Sequence, residues 1–285
     1  MTAPVSTPPA EVPNATRFRL AAVDIDDTLL GPDARVSAAN AAAVAELVRR
    51  GVRVVLASGR SHANMLPFHR QLGLPGDGPV VSSHGAAART ADGGAVWFVR
   101  PVPEALAAEV VRAGRARGLG VAVYRVDGVE VEARTRWIDY EASRNLEPQR
   151  LVPDLLAPGG APATKVMWID DPAAIAAAVP AGRAEFAGRL TVTPTDAEYL
   201  EFCAAGVDKG TALAEVAARL GVAREETLAF GDGNNDAPML AWAGLGVAMD
   251  HARPAARAAA DRVVPAGDPE TALARGVALA LGLHT

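Results

Sequence analysis

Residues 18–23, Phe-Arg-Leu-Ala-Ala-Val, form a short apolar run of the kind that makes a buried strand. The run stops on three carboxylates, Asp24, Asp26 and Asp27. Carboxylates this close repel one another, so a strand that ends on them needs a compensating charge. Two further apolar runs stop on polar clusters in the same way. Val52–Ala57 leads into Ser58-Gly59-Arg60, and Thr227–Phe230 leads into Gly231-Asp232-Gly233-Asn234-Asn235-Asp236.

Between these runs lie helical patterns. Residues 36–51 place Val44, Leu47 and Val48 on one face and stop at Gly51, and residues 61–74 read as a helix despite Pro67. Residues 78–85 give a third strand. Strands that alternate with helices predict an α/β protein with a Rossmann-like, doubly wound parallel sheet. The rhythm breaks at about residue 101 and returns after Gly206. The intervening stretch reads as a helix (100–118), a hairpin centred on Asp127-Gly128, then strand, helix, strand, strand. An α+β unit is therefore expected inside the chain. The predicted division is 17–100 and 207–285 for the sheet core, 101–206 for the insert and 1–16 for a disordered Pro-, Thr- and Ala-rich tail.

Composition bounds the partners. Half of the 285 residues are hydrophobic and the net charge is −5, which supplies no basic surface for nucleic acid or an anionic membrane. No apolar run reaches bilayer-spanning length. One cysteine, Cys203, cannot form an internal disulfide. A cytoplasmic protein is expected, and its oligomeric state is left open.

Open parallel sheets bind ligands beyond the carboxyl ends of their strands, where the three polar clusters fall. Crowded oxygen donors with no histidine or cysteine cluster suit Mg²⁺. A hydroxyl, glycine amides and the Lys209 ammonium suit a phosphate. Together they point to phosphoryl transfer.

The motifs Asp24-Ile-Asp-Asp-Thr-Leu-Leu, Ala57-Ser-Gly-Arg, Asp208-Lys-Gly and Gly231-Asp-Gly-Asn-Asn-Asp resemble, in order, the four motifs of the haloacid dehalogenase-like superfamily. The long insert between the second and third resembles the α/β cap of its Cof-type, class IIB branch. The resemblance implies a Mg²⁺-dependent phosphatase that acts on a small phosphorylated metabolite through an aspartyl-phosphate intermediate, sugar phosphates being the favoured substrates. It implies Asp24 as nucleophile, Asp26 as general acid and base, and Lys209 as their catalytic cation. Ser58, Gly59, Lys209 and Asn235 would bind the substrate phosphate. Asp24, the Asp26 carbonyl and Asp232 would hold the metal, with Asn235 or Asp236 in support. Negative charge around Asp26 is expected to help it keep a proton.

Alternatives stand beside these readings. A phosphomutase of the phosphomannomutase type would use the same motifs, and a non-catalytic metabolite-binding protein could share the fold. Asp27 reads as structural, Ser58 could cap the following helix, and Asp236 could cap the helix at 237–244. His84 and His251 stand where relatives of this branch commonly have asparagine, and His62 follows the second motif. Their roles stay open, as does the aim of Glu130, Glu132, Trp137, Tyr140, Trp168 and Glu201 in the insert. Trp97, Trp137, Trp168 and Cys203 read as core.

Overall fold

A computed structural model describes residues 16–144 and 149–283, so the expected disordered tail lies, but for Thr16, outside the described residues. Strand β1 (Leu20–Val23) is buried along its whole length. Successive side chains of a strand point to opposite faces, so Leu20 and Ala22 enter one apolar cluster while Ala21 and Val23 enter another. Beyond β1 comes one wide turn, Ile25–Leu29, in which Asp26 is extended and Asp27 left-handed with φ 56°. Helix α1 (Ala38–Arg49) is capped by Ser37, whose hydroxyl accepts from the Asn40 amide at 3.1 Å. Strand β2 (Arg53–Leu56) and helix α2 (His62–Gln71) follow.

The next strands depart from the expected pattern. β3 (Pro79–Ser82) meets the parallel sheet through the parallel Ala57–Val81 bridge, where the Ser58 amide donates to Val81 O at 3.0 Å. Its main pairing is antiparallel, with β4 (Ala87–Thr90), which in turn pairs with β5 (Val96–Val99). Two four-residue strands around Asp92-Gly93-Gly94 are too short to announce themselves by periodicity.

The insert begins with α3 (Glu104–Ala116) and the hairpin β6 (Gly120–Arg125) and β7 (Gly128–Val131). It continues with α4 (Arg136–Arg144), β8 (Gln149–Leu151), β9 (Ala163–Ile169), α5 (Pro172–Glu185), β10 (Leu190–Pro194) and β11 (Tyr199–Ala204). These strands form one sheet in the order β10-β11-β9-β6-β7-β8. Alternation again divides the faces. Val121, Val123, Val166, Trp168 and Phe202 pack with residues of α3 and α5. Ala122, Tyr124, Met167 and Tyr199 pack with Ile138 of α4.

The chain then returns through α6 (Lys209–Arg219), β12 (Thr227–Gly231), α7 (Ala237–Trp242), β13 (Leu245–Ala248), α8 (Pro254–Ala259), β14 (Arg262–Val263) and α9 (Ala272–Leu281). The parallel sheet runs β14-β13-β12-β1-β2. Residues of α1 and α9 cover one face and those of α6 and α7 the other. Phe230, fully buried on β12, is one anchor, and burying a side chain of this kind contributes about 1.5–3 kcal/mol. The architecture is α/β, with β1 in the sheet interior between β12 and β2, so the carboxyl ends of β1 and β12 share one edge. No helix among the described residues is long and apolar enough to cross a membrane.

Candidate active site

Asp24 is the first residue past β1, and its amide extends the ladder by donating to Phe230 O at 3.0 Å. The next strand therefore fixes its position. Its buried carboxylate accepts from Lys209 Nζ at 2.5 Å. Lys209 opens α6 behind a capping box formed by Asp208 and Thr211, and its side chain has no solvent exposure. Nζ also donates to Asp236 Oδ1 at 2.6 Å.

The other Asp236 oxygen accepts from the Asp232 and Gly233 amides at 3.0 and 2.8 Å. Asp236 stands at the N-terminus of α7, yet its side chain does not cap that helix. It turns back and ties down its own loop. Asp232 in turn accepts from the Thr28 hydroxyl at 2.9 Å. One carboxylate oxygen from each of Asp24, Asp232 and Asp236 lies within 4.8 Å of the others.

The electrostatics of this trio are strained. Burial, then Asp236, raises the Asp24 pKa well above the carboxylate range, against the pull of Lys209. Burial and Asp236 also push Asp232 up to about 7, against the Thr28 hydrogen bond. Burial works to lower the Lys209 pKa, but Asp236 and Asp24 more than reverse it, so the ammonium is held charged. One buried cation thus faces three carboxylates. An all-oxygen donor set with surplus negative charge fits a hard divalent cation.

Asp26 behaves differently from the sequence expectation. Burial would raise its pKa, but the Arg60 guanidinium outweighs burial and lowers it. Arg60 holds Asp26 through Nη2–Oδ1 at 2.7 Å and Nε–Oδ2 at 3.0 Å, and its Nη1 donates to Arg144 O at 3.2 Å. The surrounding charge therefore favours the ionised form of Asp26. Ser58 is buried and its hydroxyl accepts from the Arg60 amide at 3.2 Å. The cap of α2 is Ser61, not Ser58.

His84 lies in the turn after β3 with φ 57°. The following Gly85, at φ 100°, sits where a Cβ would come within 2.3 Å of Asp208 O, so that turn is pressed against the start of α6. Gly59 has a parallel reason to lack a side chain, since a Cβ there would lie 2.3 Å from His84 Cε1. His84 Nε2 hydrogen-bonds Glu201 of β11, and Nδ1 lies 3.2 Å from Asn235 Nδ2. The second Glu201 oxygen accepts from Lys165 Nζ at 3.1 Å, and Lys165 also donates to Gly59 O at 2.9 Å. Burial raises Glu201, but His84 and Lys165 hold it down at about 2. Burial keeps the His84 pKa below its ordinary value despite Glu201.

A cavity of about 120 Å³ unites most of the expected residues. Asp24, Asp26, Ser58, Gly59, Asp232 and Asn235 line it, and Lys209 and Asp236 stand behind its wall. The insert supplies Tyr124, Glu141, Arg144, Lys165, Asp196 and Glu201 to the same cavity. Sequence reasoning missed all of these but Glu201. Lys165 carried a signal, as the lone charge in the buried strand Ala163–Ile169. Glu130 and Glu132 turn elsewhere, to Arg125 and Arg115. Trp168 is wholly buried, with Nε1 donating to Val110 O at 3.0 Å, and Cys203 is buried with Sγ 4.0 Å from Ser83 O. Exposed His251 donates from Nε2 to Asp27 O at 2.7 Å, which ties down the turn after β1. His62 is half-buried and driven down to about 4 by burial.

Comparison with known proteins agrees with this geometry. Residues 21–276 match the family model of haloacid dehalogenase-like hydrolases. The chain is 31% identical to the HMP-PP phosphatase of Serratia proteamaculans over 240 residues, 83% of this chain and 85% of that protein. A haloacid dehalogenase-like hydrolase from Bacteroides thetaiotaomicron superposes with a TM-score of 0.82 at 24% identity, covering 92% of this chain and 99% of that one. A subclass IIB sugar phosphatase of the same superfamily superposes at 0.77 with 20% identity, covering 93% and 99%. With the family model spanning most of its length, the chain belongs to the haloacid dehalogenase-like hydrolases and is a phosphatase of that family.

Proposed function

We propose that the chain hydrolyses phosphate monoesters of small metabolites with Mg²⁺, sugar phosphates foremost, through an aspartyl phosphate on Asp24. The observation that carries this reading is the placement of Asp24, at the end of the buried interior strand β1, on the cavity wall and bound to the buried Lys209. A carboxylate so held is aimed and short of charge compensation, which suits an in-line attack on phosphorus. The Asp24, Asp232 and Asp236 oxygens, with the Asp26 carbonyl, would hold the metal. Bound there, Mg²⁺ would offset the repulsion between nucleophile and phosphate.

On this reading Ser58, the Gly59 region and Asn235 bind phosphate oxygens, and Lys209 offsets charge on the nucleophile from behind. Asp26 protonates the leaving oxygen and then activates water. It must first be freed from Arg60 and take up a proton. Residues 17–100 and 207–285 form the core of the reading, and 101–206 the cap that walls the leaving group. The cavity is small and lined by hydroxyl, carboxylate and cationic groups, which suits a compact polyhydroxylated leaving group. The similarity to an HMP-PP phosphatase, and the subclass IIB sugar phosphatase fold, support a small-metabolite substrate.

The test is a phosphate-release screen over sugar phosphates, nucleotides and phosphorylated cofactors with Mg²⁺. Preferential turnover of sugar phosphates without a bisphosphate activator supports the reading. An empty profile, or turnover that demands the activator as in a phosphomutase, overturns it.

A further inference from the structure

Glu201 and Lys165 lie on neighbouring strands of the inserted sheet, and both reach out of it into the core. Lys165, Glu201 and His84 are each at least nine-tenths buried, so this is a desolvated polar contact and not a surface ion pair. The contact leads somewhere specific. A carboxylate only accepts hydrogen bonds, so Glu201 draws the ring proton of His84 to Nε2. Nδ1 is then an acceptor, and the group 3.2 Å away that can donate to it is the Asn235 amide nitrogen. The amide oxygen packs over Gly233, where a Cβ would lie only 2.4 Å from it. One orientation of the Asn235 side chain is thereby selected, with its nitrogen toward His84.

We propose that His84 is a positioning residue that transmits the seating of the inserted sheet, through Glu201, to the Asn235 amide on the wall of the phosphate site. The inference rests on the proposed function for the role of Asn235. Glu201 can reach His84 only when the inserted sheet sits on the core, so the amide is set in that arrangement and released when the two separate. A histidine fits this place because its two ring nitrogens bridge a carboxylate on one side and an amide on the other. Gly59 makes room for the ring.

The experiment is a double-mutant cycle on Glu201→Leu and Asn235→Ala, reading Mg²⁺-dependent phosphate release from 4-nitrophenyl phosphate and the affinity for tungstate, a phosphate mimic. Each single change is expected to lower kcat by about 10- to 100-fold. The double variant is expected to be no worse than Asn235→Ala alone, in rate and in tungstate affinity. Glu201→Gln, which still offers His84 an acceptor oxygen, is expected to stay within a few-fold of wild type. Losses that multiply, or a Glu201→Gln variant as impaired as Glu201→Leu, would overturn the proposal. Should Glu201→Leu not fold, His84→Phe takes its place in the cycle, keeping the ring over Gly59 without its nitrogens. A wild-type protein without turnover would instead count against the proposed function, and the tungstate arm would still decide the coupling.

Discussion

Arg60 grips both carboxylate oxygens of Asp26, at 2.7 and 3.0 Å. A two-point guanidinium–carboxylate pair favours the ionised acid, and here it outweighs the burial that would do the opposite. Crowding by Asp24 and Asp27 suggested a carboxyl that keeps its proton; the nearest charge is instead positive. Arg60→Met should therefore raise the titration point of Asp26, followed by its side-chain carboxyl carbon resonance. An unchanged titration would mean that Arg60 is not what holds the acid ionised.

Asp24→Asn should remove turnover, by at least about 10²–10³-fold, while leaving the fold intact. The amide retains the shape of the side chain but cannot act as the nucleophile. Phosphate release and circular dichroism, measured together, check both halves. Near-normal release from this variant would refute the covalent mechanism.

Lys209 is the shared partner of Asp24 and Asp236, without solvent exposure. Removing one member of a buried ion pair strands the other and typically costs about 3–5 kcal/mol. Lys209→Met in a chelating buffer should lose stability of that order in urea unfolding, and added Mg²⁺ should restore part of it. A loss well under 1 kcal/mol would show that the carboxylates are compensated elsewhere.

Burial and Asp236 push Asp232 up to about 7 and raise Asp24 well above its ordinary value. Between the ordinary carboxylate range and pH 7 the folded, metal-free protein binds more protons than the unfolded chain, so its stability falls as pH rises through that window. Melting in EDTA should drop from about pH 5 to about pH 8, and Mg²⁺ should raise the melting temperature more at the higher pH. An increment independent of pH would contradict this.

Glu201 has the opposite sign. Its folded value of about 2 lies below the ordinary 4.5. Its stabilisation, on the order of 3 kcal/mol, is therefore present above the ordinary value and is lost as pH falls toward about 2. The stability gap between wild type and Glu201→Gln in urea should be wide at neutral pH and narrow at about pH 3. A gap that does not change with pH would show that the ionised Glu201 is not what stabilises the contact.

Much of this molecule is legible along the chain because the relevant physics is local. A buried strand must be apolar, a helix must repeat its apolar face, and strand ends of a parallel sheet carry the ligand chemistry, so Asp24, Ser58 and Asp232 can be picked out from their places after apolar runs. Pairings between distant residues have no such signature. In sequence Ser58 reads as a possible helix cap, and only backbone geometry gives that role to Ser61 instead. Asp236 stands at a helix start, yet Lys209 and two loop amides capture its carboxylate.

The sequence by itself determined the alternation of strands and helices, the interruption by a second unit, and the acidic character of the strand ends. Each follows from short-range patterning of apolar and polar residues. Tertiary structure alone decided the charge state around those ends. Arg60 turns on Asp26, Lys209 lies behind Asp24, and Lys165 and Glu201 cross from the inserted sheet to His84 and Gly59. Electrostatic energies depend on distance and desolvation, and both are set by the packing of segments far apart in the chain.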